Sequence, residues 1–203
     1  MAQPSEEKLS VVICTHNRAT CAIECVESLL RCNGSDQLDI VVVDNASQRD
    51  QRDALALGME RLGVRFEEQP IPGVSHARNL GTSLARSEWF AFLDDDALVF
   101  PDWVLCARRL ISEVNPAVGL IGGAVFPRWP AQSIPDAVEP ERLGSRWRTL
   151  LSLVDAERIA RGSSVPEVVA CNMLVRRSLV QEVGGFRTEL GRVPGSLLGG
   201  EEI

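Results

Sequence analysis

WFAFLDDDALVFPDW, residues Trp89 to Trp103, decides how the rest of the chain reads. Its first half, Trp89 to Leu93, is an apolar run with the signature of a strand buried on both faces. Asp94, Asp95 and Asp96 then follow without a break. Three adjacent carboxylates at the mouth of a buried strand repel one another, at about 1–4 kcal/mol per close pair in a surface-like dielectric. A proton or a cation relieves this. Hard carboxylate oxygens suit Mg2+ or Mn2+. The competing reading is a solvated acidic loop ahead of the helix that starts near Pro101.

Working back from that stretch, the chain alternates strand and helix. Leu9 to Thr15 is a β-branched apolar strand, followed by the loop THNRAT and a helix over Ala19 to Leu30. Asp39 to Asp44 is a near-continuous apolar strand, which suits a central parallel position. A helix over Asp50 to Leu62 follows, with Ser47 as its expected cap. Val64 to Glu68 reads as a weaker strand, and Ser75 to Ala85 as a helix. The first hundred residues are therefore βαβαβαβ, which implies a parallel, doubly wound sheet. Ligands of such sheets bind beyond the carboxyl ends of the strands. Thr15, Asp44 and Asp94 each stand at such an end, so the pattern places them on one rim.

Working forward, the rhythm changes. Asp102 to Val114 reads as a helix, Gly119 to Phe126 and Val168 to Arg176 as strands, and Arg177 to Val183 as a short helix closed by Gly184-Gly185. Residues 127–166 form an irregular excursion with one helix, from about Ser145 to Ala160.

Composition narrows the function. The 203 residues carry a net charge of −7 and are 45% hydrophobic. With no basic stripe, nucleic acid is disfavoured as a partner. No run is apolar enough to span a bilayer, and residues 1–8 have no signal-peptide pattern. The six cysteines include no C-x-x-C pair and read as reduced, in keeping with a cytoplasmic protein. Cys21, Cys25 and Cys32 read as small core residues. His16 and His76 stand too far apart in sequence to suggest zinc. Trp103, Trp129 and Trp147 could stack on a sugar or pack in the core. No G-x-G-x-x-G follows the first strand and no P-loop occurs, which argues against a dinucleotide cofactor and a Walker-type phosphate cradle.

The ordered set LSVVICTHNRA, IVVVDNAS, GVSHARNLG, FLDDDALVFPDW, CNMLVRR with EVGGF, and GGEEI resembles family 2 glycosyltransferases of the GT-A fold, from about Leu9 to the last residue. The resemblance implies a single α/β GT-A domain over residues 1–203, with a mostly parallel Rossmann-like sheet flanked by helices. Residues 9–100 would be the nucleotide-sugar-binding half and 101–203 the acceptor side. It implies a metal-dependent inverting transferase that moves a sugar from a nucleoside-diphosphate sugar to a hydroxyl, in polysaccharide or glycan biosynthesis.

By that resemblance Thr15 and Arg18 lie near the nucleotide, and Asp44 accepts a hydrogen bond from the base. Arg78 and Asn79 sit beside the nucleotide. Asp94 and Asp96 form the family's D-x-D: Asp96 carries the Mn2+ or Mg2+, Asp94 contacts the ribose or the ion, and Asp95 orients the donor site rather than ligating. Glu202 is the expected general base, with Glu201 as the alternative. A carbohydrate or lipid-linked acceptor at the inner membrane face, with peripheral membrane association, comes from the same analogy. Family chains continue past the acidic pair, so the resemblance implies that these 203 residues bind nucleotide but turn over slowly or not at all. Two other readings stay open. One is a non-catalytic nucleotide-binding module. The other is a sugar-nucleotide-forming nucleotidyltransferase, although THNRAT lacks the glycine-rich basic loop which that class requires.

Overall fold

The computed structural model of the chain describes residues 8–126, 128, 168 and 170–190. Six strands form one sheet in the order β3-β2-β1-β4-β6-β5. They are β1 (Leu9–Thr15), β2 (Leu38–Asn45), β3 (Arg65–Gln69), β4 (Trp89–Asp94), β5 (Leu120–Gly122) and β6 (Asn172–Arg176). The helices are α1 (Ala19–Leu30), α2 (Arg49–Leu62), α3 (Val74–Leu84), α4 (Trp103–Glu113) and α5 (Arg177–Val183).

Strands β1 to β4 run parallel, and the reason lies in their residues. Apolar side chains on both faces demand a helix layer on each side. Val11 and Ile13 of β1 point to the layer built by α1, α2 and α4, where Val26, Leu29, Leu55, Met59 and Val104 are buried. Val12, between them, points to the other side, into the cluster of Phe90, Phe92, Val175 and Val180. Val41, Val43 and Ala77 extend that second face under α3. Val11 and Ile13 thus pack on one face and Val12 on the other, the period of two that a strand imposes. No helix among the described residues is long and apolar enough to cross a membrane.

The latter half departs from a simple reading in three places. β6 runs antiparallel to β4, pairing Phe92 with Met173 and Phe90 with Val175. The strand expected over Gly119 to Phe126 is limited to Leu120–Gly122. At Gly123 the backbone passes so close to Asn172 that a Cβ would overlap its side-chain amide. That amide donates to the Ala124 carbonyl at 3.0 Å, while the Gly123 N–H donates to the Asn172 carbonyl at 2.8 Å. The strand expected from Val168 begins only at Asn172, after a turn at Ala170-Cys171. The helix expected over Ser145 to Ala160 lies outside the described residues, as do Trp129 and Trp147. Trp103 donates its indole N–H to Asn172 Oδ1 at 3.1 Å and packs against the core.

Candidate functional site

Parallel pairing brings the carboxyl ends of β2, β1 and β4 into line. Thr15 sits opposite Asp44, and Cys14 opposite Asp94. With strands about 4.8 Å apart, Asp44 and the aspartate triplet are separated by two strand spacings along one rim.

The triplet is a tight turn. The Ala97 N–H donates to the Asp94 carbonyl at 3.1 Å, the i to i+3 bond of a β-turn. This turn leaves Asp94 and Asp96 exposed and sends Asp95 inward. Asp95 is 6% exposed, and its two oxygens have separate partners. Thr15 Oγ1 donates to Oδ2 at 2.6 Å, and Arg18 Nη1 pairs with Oδ1 at 3.0 Å. Arg18 Nη2 reaches Asp96 Oδ2 at 2.6 Å, so one guanidinium spans two carboxylates. Burial raises the Asp95 pKa above the usual carboxylate value, and the Thr15 hydroxyl and Arg18 oppose that shift. The same charges are felt behind the rim. Desolvation pushes the Cys14 and Cys25 thiols to about 12, and the nearby aspartates add to the effect.

Asp44 is 1% exposed. Its Oδ2 accepts the Ser47 N–H at 3.1 Å. Its Oδ1 is buried and has no hydrogen-bond partner among the described residues. A buried carboxylate oxygen left in that state costs desolvation energy that a ligand N–H would recover.

Arg78, on α3, is 6% exposed, with its guanidinium 5.6 Å from the Phe186 ring centroid. Its charge lowers the Cys14 pKa while Asp94 and Asp95 raise it, which places Arg78 within the field of the rim. Asn79 has a different post. Its Nδ2 donates to the Phe186 carbonyl and its Oδ1 accepts the Phe186 N–H, both at 2.8 Å, tying α3 to the turn after α5. Glu201 and Glu202 lie outside the described residues.

Sequence reasoning missed a set of polar ties among the rim loops. The Asn45 side chain donates to the Ile71 carbonyl at 2.7 Å and accepts the Gly73 N–H at 2.9 Å. His16 Nδ1 lies 2.6 Å from the Asn45 carbonyl. A carbonyl only accepts, so Nδ1 carries the proton, and Nε2 is left to accept from Asn17 Nδ2 at 3.0 Å. Ser47, expected to cap α2, instead accepts the Asn17 N–H at 2.7 Å through its Oγ. Asn17 and Ala46 both adopt positive φ, 56° and 57°. The available signal was an asparagine closing a buried strand at Asn45 and another two residues past one at Asn17.

The exposed carboxylates of Asp94 and Asp96 supply the hard oxygen donors that Mg2+ or Mn2+ requires. The Asp96 position also already accepts a cation, the Arg18 guanidinium, so the residues present fit a divalent ion. Among the described residues no group of three or more His, Cys, Asp or Glu is arranged to hold a metal. An ion here would therefore take its other ligands from substrate and water, as Mg2+ commonly does.

Among solved structures, a mannosyltransferase from Pyrobaculum calidifontis in complex with GDP-Man and Mn2+ matches with a TM-score of 0.66 at 23% identity, covering 93% of this chain and 50% of that one. S. aureus TarS 1-349 with UDP-GlcNAc matches with a TM-score of 0.59 at 20% identity, covering 90% of this chain and 49% of that one. These establish the GT-A fold. Among curated proteins, the glucosyl-dolichyl phosphate glucuronosyltransferase of Haloferax volcanii is 29% identical over 189 residues, 91% of this chain and 58% of the relative. The validoxylamine A glucosyltransferase of Streptomyces hygroscopicus is 35% identical over 117 residues, 56% of this chain and 28% of the relative. The chain thus spans 58% or less of the length of these relatives. The model of glycosyl transferase family 2 matches residues 10–184, and with that match over a GT-A sheet the chain belongs to this family.

Proposed function

We propose that this chain binds a nucleoside-diphosphate sugar along the rim and transfers the sugar, with inversion, to a hydroxyl acceptor. The observation that carries the reading is the buried, unpartnered Oδ1 of Asp44. It accepts an N–H from the base edge, as uracil, thymine or guanine would offer. Two strands away, Asp96, with help from Asp94, would hold Mn2+ or Mg2+. When bound, the ion neutralises the leaving diphosphate as a Lewis acid.

Thr15 fixes Asp95 so that the turn presents its neighbours outward. Arg18 and Arg78 place positive charge where the diphosphate lies. Glu202, or Glu201 in its place, takes the proton from the acceptor hydroxyl. The hydroxyl oxygen bonds to the anomeric carbon as the bond from that carbon to the diphosphate oxygen breaks on the opposite face. General-base help of this kind is worth about 10²–10⁴ in rate.

The GDP-Man, Mn2+ and UDP-GlcNAc of the solved neighbours support a nucleotide-sugar donor and a divalent ion. The dolichyl phosphate in the Haloferax relative's name supports a lipid-linked acceptor, and with it a place at the cytoplasmic membrane face in glycan or polysaccharide synthesis.

Calorimetric titration with UDP, TDP and GDP, with and without Mn2+, tests the reading. The expected result is binding of at least one nucleotide that strengthens with Mn2+ and loses that dependence in Asp96→Ala. No binding of any nucleotide overturns it.

A further inference from the structure

Arg18 stands immediately before α1, and its guanidinium, which only donates, makes no side-chain cap there. Its side chain leaves the helix end and crosses to the turn after β4, where it forks onto Asp95 and Asp96. The two acceptors are unequal. The Asp95 side chain is 7% exposed, whereas that of Asp96 is 57% exposed. Asp95 also has the Thr15 hydroxyl at 2.6 Å. The Nη1 arm of the fork therefore rests on a fixed, buried anion, and the Nη2 arm on a solvent-facing one.

We propose that Arg18 is a built-in cation that occupies the Asp96 seat until a divalent ion displaces its Nη2 arm, coupling metal entry to diphosphate binding. This rests on the metal reading of Asp96 given above. A guanidinium and a divalent ion repel one another across a few ångströms, and Asp96 Oδ2 is the oxygen that Nη2 now holds at 2.6 Å. The ion favours an arginine that has let go of Asp96. Asp95, out of solvent and held by Thr15, keeps Nη1 and so keeps the charge at the rim. The released Nη2 then has N–H donors to spend on a phosphate oxygen, in the charge-assisted geometry that suits arginine. Metal and diphosphate both favour the same displaced arginine, so each tightens the other by the same factor. An arginine that merely braced the turn would add nothing to the coupling that the ion's own contact with the diphosphate supplies.

Mn2+ binding by the full chain, read by electron paramagnetic resonance of the free ion, tests this first with Mn2+ alone and then with saturating UDP or GDP. Arg18→Ala should tighten Mn2+ alone, by up to about fivefold, the most expected when a competing exposed ion pair is removed. It should also shrink the gain that nucleotide gives to Mn2+ affinity. Arg18→Lys keeps the charge and cannot fork, so it should fall between. Unchanged or weaker Mn2+ binding in both variants overturns the proposal while leaving the metal site standing. Equal and negligible Mn2+ binding by the unsubstituted chain and by Asp96→Ala, with or without nucleotide, overturns the metal site and this proposal together.

Discussion

A carboxylate at 1% exposure ordinarily spends both oxygens inside the protein, and Asp44 spends one. Asp44→Asn keeps the shape and removes the charge. It should weaken nucleotide binding tenfold or more, since a hydrogen bond to a charged group is worth about 1.5–3 kcal/mol, and calorimetry reads this directly. The cysteines make a second residue-scale case. Cys14 and Cys25 have folded pKa values raised to about 12 by burial, against about 8.5 for a free thiol. The unfolded chain releases these protons first, so the stability they support is complete below the unfolded value and is lost as pH rises toward 12. Urea melts should show a lower midpoint at pH 10.5 than at pH 8, and the loss should shrink in Cys14→Ala. Cys106 is exposed and Cys25 buried, so brief alkylation of the native protein should label Cys106 and spare Cys25. At this scale the acidic positions were legible, because carboxylates at strand ends are written in the order of residues. The fork of Arg18 and the post of Asn79 were not, because both depend on partners more than 70 residues away in the chain.

Helix α3 shows how an element is held against the sheet. A Cβ at Gly81 would overlap Val12 Cγ1, so the glycine is what lets the helix lie close on β1. Gly81→Ala should cost about 1–3 kcal/mol by overpacking, measured as a drop in denaturation midpoint. The C-terminal end of α3 is closed from a distance. Arg177, the first residue of α5, donates to the carbonyls of Thr82, Ala85 and Ser87. The Thr82 and Ala85 carbonyls are among those that the end of a helix leaves unpaired, Ser87 lies just beyond it, and the cation also suits that end of the dipole. Arg177→Ala should therefore destabilise by about 1.5–3 kcal/mol, the worth of charged hydrogen bonds, while nucleotide binding at the far rim holds. The elements through α4 were legible because most are runs of one hydrophobic period with turn residues close by, such as Gly63 between α2 and β3 and Pro70 after β3. β5 was read too long because GLIGGAVF is apolar throughout, and an apolar run does not state where its pairing with β6 stops.

For the molecule as a whole, the strand order matters most. Chain order proceeds outward from β1 through β2 to β3, then returns to β4 on the other side. The switch therefore falls between β1 and β4, where an open sheet parts its loops and ligands enter. Thr15, Arg18 and the aspartate triplet flank that gap. The parallel half of the sheet followed from the alternation of strand and helix. The antiparallel β6 did not, because nothing in a strand's own residues states its direction. Asn45 has a further effect on this rim. Through one amide it joins the loop after β2 to the one before α3, and through its carbonyl it holds His16 in the loop after β1. Loosening any one of these segments should loosen the others. Hydrogen exchange gives the readout: Asn45→Ala should hasten exchange at the Gly73 amide, 28 positions along the chain, and also at those of Asn17 and Gln48. The entrance would then stiffen or soften as one piece, and a guest gripping any part of it would quiet the whole.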